Sequence, residues 1–149
     1  MSTLALRLKK FNQHRLPDLV KLKYEAMTEN IFRFYRGTCH LFYEDLSKAR
    51  NIPQSPATWI CGDLHLENYG SYKANNKLVY FDLNDFDESV LAPALWEVLR
   101  LITSIFLAFD ALEIDQDQAF NMATFFLKTY GATLCSGKPI NIDPRTAKG

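Results

Sequence analysis

Between Gly62 and Glu88 the chain places Asp63, His65, Glu67, Asn68, Asp82, Asn84, Asp85, Asp87 and Glu88, almost all oxygen donors, on two short connections. Carboxylates, an amide carbonyl and water are the ligands that Mg²⁺ and Mn²⁺ prefer, and Mg²⁺ commonly shares its shell with substrate phosphates. A single His with no nearby Cys set makes zinc a poorer fit. The carboxylates of the second connection repel one another unless a cation lies among them, which is the physical reason to expect one. In an extended strand Asp82 and Asn84 share one face while Asp85 and Asp87 share the other, so either pair could converge on an ion. The plainer reading is a set of turn residues whose side chains bond to local backbone.

Outside this cluster, Arg36 beside Gly37 could clamp phosphate through two parallel N–H donors, or it could pair with Glu44 or Asp45 on the surface. Arg33 and Lys23 are weaker versions of the same idea. His65 inside its loop reads as a bracing group in preference to a ligand, and Glu97 reads as a buried acceptor that braces the loop. Trp96, with Leu99 and Phe106, reads as core. No GxSxG elbow for a serine nucleophile is present.

The elements that must hold these residues follow from apolar spacing. Leu19, Val20, Tyr24, Met27 and Ile31 predict a helix from Pro17 to about residue 31, and CHLFYEDLSKA predicts another with Thr38 as its N-cap. Thr58 to Cys61 is a short apolar run that stops at Gly62. SYKANNKLVYFDL predicts two strands around an Ala74-Asn75-Asn76-Lys77 turn, Asn being tolerant of left-handed backbone. Pro93 opens a long helix with an apolar face of Leu95, Trp96, Leu99, Ile102, Ile105, Phe106 and Phe109. Asp115 caps a last helix through Phe120, Ala123, Phe126, Leu127 and Tyr130. From Ser136 onward no apolar period survives. The expected organisation is one domain over residues 1–135 and an irregular tail over 136–149, in an α+β fold whose central hairpin carries the chemistry on its loops.

A length of 149 residues with 48% apolar and 23% charged side chains suits a folded domain with a real core. Seventeen basic residues balance seventeen acidic ones, so the bulk charge points neither to nucleic acid nor to an anionic membrane surface. Cys39, Cys61 and Cys135 form no CxxC pair and suit a reducing, cytoplasmic setting. No apolar stretch reaches the roughly 20 residues of a membrane span.

GDLHLEN at residues 62–68 resembles the GDxHxxN catalytic loop of the aminoglycoside and choline kinase-like superfamily, and NDFDES at 84–89 followed by PALWEVLRL resembles its metal-binding aspartate and the helix behind it. With FRFYRGTCHLFYEDL upstream, the run is similar to the uncharacterised bacterial domain-of-unknown-function family 2252, with its FRG, GDxHxxN and NDFDE signatures. The resemblance implies a kinase-like catalytic-lobe fragment, an Mg²⁺- or Mn²⁺-dependent site that takes ATP, and a small-molecule or nucleotide substrate. Carried over by position, Asp63 orients or deprotonates an acceptor hydroxyl and Asn68 binds metal. Asp85 is the second ligand, Asp82 its alternative, and Asp87 a further candidate. Cys61 departs from the His that usually precedes GD, and no GxGxxG nucleotide lobe precedes the motif. Members of that family are longer, so the chain reads as a truncated member. A noncatalytic remnant and a metal-dependent phosphoester hydrolase are the competing readings.

Overall fold

A computed structural model describes residues 3–138, which form two compact units divided after Arg50. Among the described residues no helix is long and apolar enough to cross a membrane.

The first unit is four helices: α1 (Thr3–Asn12), α2 (Pro17–Met27), α3 (Ile31–Gly37) and α4 (Cys39–Leu46). Pro17 sits in the first turn of α2, where its missing N–H goes unused. The helix stops at Met27 and does not run on to residue 31. Extended Asn30 accepts a hydrogen bond from the Arg33 N–H at 2.9 Å and so caps a new helix. FRFYRG, which lies between the two helices predicted here, is therefore the body of α3. Thr38 precedes α4 but its hydroxyl donates backwards to Phe34 O at 2.8 Å, so it serves the end of α3 and does not cap α4. Gly37, which the sequence offers as a flexible partner for a phosphate clamp, allows close helix packing. A Cβ there would stand 2.6 Å from Met27 Cγ of α2. Glu44 and Asp45 bind the Arg7 guanidinium at 2.7 and 2.8 Å.

The second unit is mixed α and β. Strand β1 (Ala57–Ile60) pairs antiparallel with β4 (Val90–Pro93), and β2 (Tyr69–Lys73) pairs antiparallel with β3 (Val79–Leu83). The β2–β3 hairpin falls where the turn residues predict it, but Lys77, not an Asn, takes the left-handed position at φ 65°. Asn76 contributes through its side chain, accepting from the Leu78 N–H at 3.0 Å. Helix α5 (Ala94–Ala111) begins directly after Pro93, which ends β4. Its first N–H groups are satisfied by the segment that leads into β1: Ala94 donates to Pro56 O at 2.9 Å and Leu95 to Ser55 Oγ at 3.1 Å. In α6 (Gln116–Ser136) Asp115 caps as expected, accepting from Asp117 N–H at 2.7 Å. The irregular tail expected over 136–149 lies, from residue 139, outside the described residues.

The buried stripe of α5 is Val98, Leu101 and Ile105 together with Arg100 and Ser104; of the expected face Ile105 is buried, Leu95, Trp96, Leu99, Ile102 and Phe109 are half-buried and Phe106 is exposed. Apolar residues surround this helix on nearly every side, so hydrophobicity alone does not select the inner face. The choice is made by two polar side chains, Glu97 and Arg100. Leu101 joins Cys61 and Leu64 in a core against which Leu66, Tyr69, Leu83 and Phe126 pack.

Candidate functional site

Strand order brings the two acidic connections together. The 61–68 loop leaves β1 at Ile60 and enters β2 at Tyr69, while the 84–89 loop leaves β3 at Leu83 and enters β4 at Val90. Ile60 pairs with Val90 and Tyr69 with Leu83, so both loops are held side by side at both ends. Asn84 N–H donating to Asn68 O at 3.0 Å extends the second pairing into the loops.

The contact between the loops is close. Gly62 has φ +86°, and a Cβ there would lie 2.1 Å from the carbonyl oxygen of Glu88, so only glycine fits both the backbone angle and the space. One residue on, Asp63 and Glu88 each bring a carboxylate oxygen within 4.8 Å of the other.

Helix α5 supports this arrangement through two side chains one turn apart. Glu97 Oε1 accepts from Cys61 N–H at 2.5 Å. Arg100, three residues later and fully buried, forms an ion pair with Asp63, its Nε at 3.1 Å and its Nη2 closer still, both on Oδ1. Asp63 itself remains 25% exposed. Sequence reading singled out Glu97 but missed Arg100. The available signal was a lone cation within the apolar run LWEVLRLITSIF, because a buried Arg is costly without an anion.

His65 and Asn68 close the first loop on itself. His65 N–H donates to Asn68 Oδ1 at 2.7 Å, and the His65 side chain accepts from the Asn68 backbone N–H, a reciprocal cap on the 3₁₀ turn at Leu66–Asn68. Both residues are buried. The remaining carboxylates are exposed. Asp82 Oδ1 accepts from Leu83 N–H at 2.8 Å, and Asp85 Oδ1 from Asp87 N–H at 3.3 Å. Asp82 lies opposite Gly70 in the hairpin, on the face away from core-packed Leu83.

The field of these acids is visible on the Cys61 thiol. Burial pushes it up to about 12, helped first by Glu97 and then by Asp85 and Asp82 in that order. Burial likewise pushes the Tyr69 hydroxyl up to about 12, with Glu97 the next cause. Arg36 belongs to the last turn of α3 in the first unit.

The site is thus a pair of loops with carboxylates on both, fixed from behind by a buried acceptor and a buried cation. Such an arrangement can orient a hydroxyl or water and can hold a hard cation. No curated protein matches the chain, and no solved structure does. Residues 15–143, running through both units, match the family described as an uncharacterized protein conserved in bacteria, DUF2252. With most of its length inside that match, the chain belongs to the DUF2252 family.

Proposed function

We propose that the second unit carries the catalytic loop of an Mg²⁺-dependent, kinase-like phosphotransferase that uses ATP. The observation behind this reading is the approach of Asp63 and Glu88 across two loops that the strand pairing holds together. Two oxygens bound to one Mg²⁺ at about 2.1 Å each lie at most about 4.2 Å apart. The Asp63 and Glu88 carboxylate oxygens lie within 4.8 Å of each other, and the acids of these two loops offer oxygen ligands, so they fit a hard cation. Asp63, Glu88 and Asp85 would hold the ion, with Asn68 contributing the lone pair that His65 does not use. When bound, the ion neutralises charge on the transferring phosphate.

The chain's own residues do the rest. Arg100 takes Oδ1 of Asp63 and leaves Oδ2 to orient an acceptor hydroxyl toward the phosphate. Glu97 fixes the backbone just before Gly62, so Asp63 cannot drift from the second loop. Asp85 is preferred over Asp82 because it stands in the loop that meets Asp63, whereas Asp82 stands within β3 on the face of the hairpin away from core-packed Leu83.

The test is transfer or release of the γ-phosphate of labelled ATP in the presence of Mg²⁺, compared with Asp63→Asn, which keeps an acceptor for Arg100. Label movement that falls at least about a hundredfold in the variant supports the reading. Equal movement in both removes Asp63 from the chemistry. Asp85→Ala is expected to lose Mn²⁺ binding; retention there with loss in Asp82→Ala moves the assignment to Asp82.

One observation favours a second reading, a noncatalytic remnant. Asn68 Oδ1 already serves the fold of its own loop. On that reading, Asn68→Ala destabilises the protein but changes no ion affinity.

A further inference from the structure

A formal charge of zero conceals a division that the two compact units reveal. Residues 1–50 hold ten Lys and Arg against five Asp and Glu, a net of +5, and residues 51–149 hold seven against twelve, a net of −5. Within the first unit the positive charge concentrates on α1, α2 and their link. Residues 3–27 contain six basic side chains and two acidic ones; of the six, Arg7 is held by Glu44 and Asp45 and Lys21 lies 3.9 Å from Glu25.

The same segment exposes a ridge of leucines. Leu19 and Leu22 share one side of α2 and Leu16 stands just before its first turn; the three are 59%, 59% and 68% exposed. Lys23, four residues after Leu19, lies on that side as well, and its Nζ stands 5.5 Å from the centroid of the exposed Phe11 ring. The Arg15 guanidinium lies 4.9 Å from the same ring. The segment thus also carries an aromatic ring attended by two cations, one of them Lys23 on the ridge side of α2.

Each part restricts the partner. Three leucines held largely in water leave a contiguous apolar surface unburied. A nucleic-acid backbone would answer the cations but not the leucines. An acidic protein surface would answer the cations, but would need an apolar groove to take the ridge. The boundary of an anionic lipid layer satisfies both at one depth, because acyl chains receive the leucines while Lys and Arg stems extend to the head-group phosphates. We propose that the α1–α2 face of the first unit docks the protein on anionic membrane surfaces, with α2 lying in the interface plane.

The test is co-sedimentation of the full chain with vesicles of pure phosphatidylcholine and with vesicles containing roughly one third phosphatidylglycerol, at low and high salt. Binding to the anionic vesicles alone, weakened by salt, is the expected result. Leu19→Gln/Leu22→Gln is expected to weaken it at least tenfold, and Arg15→Gln/Lys23→Gln by about fivefold for each cation removed. Circular dichroism checks that the variants stay helical; Leu19, Leu22 and Arg15 are exposed and Lys23 is half-buried, so none of the four belongs to the buried core. Failure of the folded wild-type chain to sediment with anionic vesicles overturns the proposal, as does equal binding to neutral ones. Unchanged binding by the leucine variant removes the ridge from the account. A dimer in sedimentation velocity that the leucine variant abolishes would show that a second copy, and not lipid, covers it.

Discussion

The carboxylate of Asp63 rests on the guanidinium of Arg100, 37 residues further along the chain and one turn beyond Glu97 on α5. The two partners are unequally placed, Arg100 being 0% exposed and Asp63 25%. Removing one member of such a pair therefore has a cost that depends on which charge is stranded. Asp63→Ala leaves a cation with no access to water and is expected to destabilise the second unit by about 3–5 kcal/mol. Arg100→Met leaves an acid that water can reach and is expected to cost about 1–3 kcal/mol. Urea midpoints of the two variants check this, and an Arg100 variant less stable than the Asp63 variant would contradict it.

Gly62 separates backbone strain from collision. Gly62→Ala meets both a left-handed φ and the Glu88 carbonyl, whereas Gly137, also left-handed at φ 61°, has nothing within 4 Å of an added Cβ. Gly137→Ala is expected to cost about 1–2 kcal/mol, and Gly62→Ala about 1–3 kcal/mol more. Equal losses in thermal or chemical denaturation would mean that the two loops do not touch as described.

The three cysteines should react in a fixed order. Cys135 is exposed, Cys39 and Cys61 are buried, and burial with Glu97 pushes the Cys61 thiol up to about 12. Near neutral pH Cys61 stays protonated and unreactive. Mass spectrometry after brief iodoacetamide treatment is expected to show Cys135 modified first and Cys61 only under denaturing conditions. Early labelling of Cys61 would place it outside the core.

His40 supplies a pH dependence in the first unit. Its ring stacks on Phe11 at 3.5 Å, and burial, then Lys23, holds the imidazole below its usual range against the opposing pull of Glu44. The folded form thus resists a proton that the unfolded chain takes up below about pH 6.5. Stability is full above that value and falls as the pH drops from 7 to 5. His40→Gln is expected to flatten this component of the fall, read from urea midpoints at both pH values. An unchanged slope would assign the acid sensitivity to other groups.

What the sequence made legible was local. The β2–β3 hairpin, the strand before Gly62 and the Asp115 cap depend on residues within a few positions of one another, and they stand where turn and capping chemistry put them. Asn30 interrupting the first predicted helix was also local, but apolar spacing outweighed it. The rest needed distant pairing. Strand β4 is only four residues long and ends in proline, so it becomes a strand through β1. The inward side of α5 is set by what Glu97 and Arg100 reach 36 and 37 residues back. The approach of Glu88 to Asp63 likewise follows from the two strand pairings and from no spacing along the chain.

The most direct test of the proposed chemistry is the melting temperature of the full chain with Mg²⁺ alone, with ATP alone and with both. A ligand that prefers the folded state stabilises it by about 2.7 kcal/mol at a hundred times its dissociation constant, which is a shift of several degrees. A phosphotransferase site predicts a rise that requires metal and nucleotide together and that shrinks in Asp85→Ala. No rise with the pair, or the same rise with Mg²⁺ alone, would contradict it.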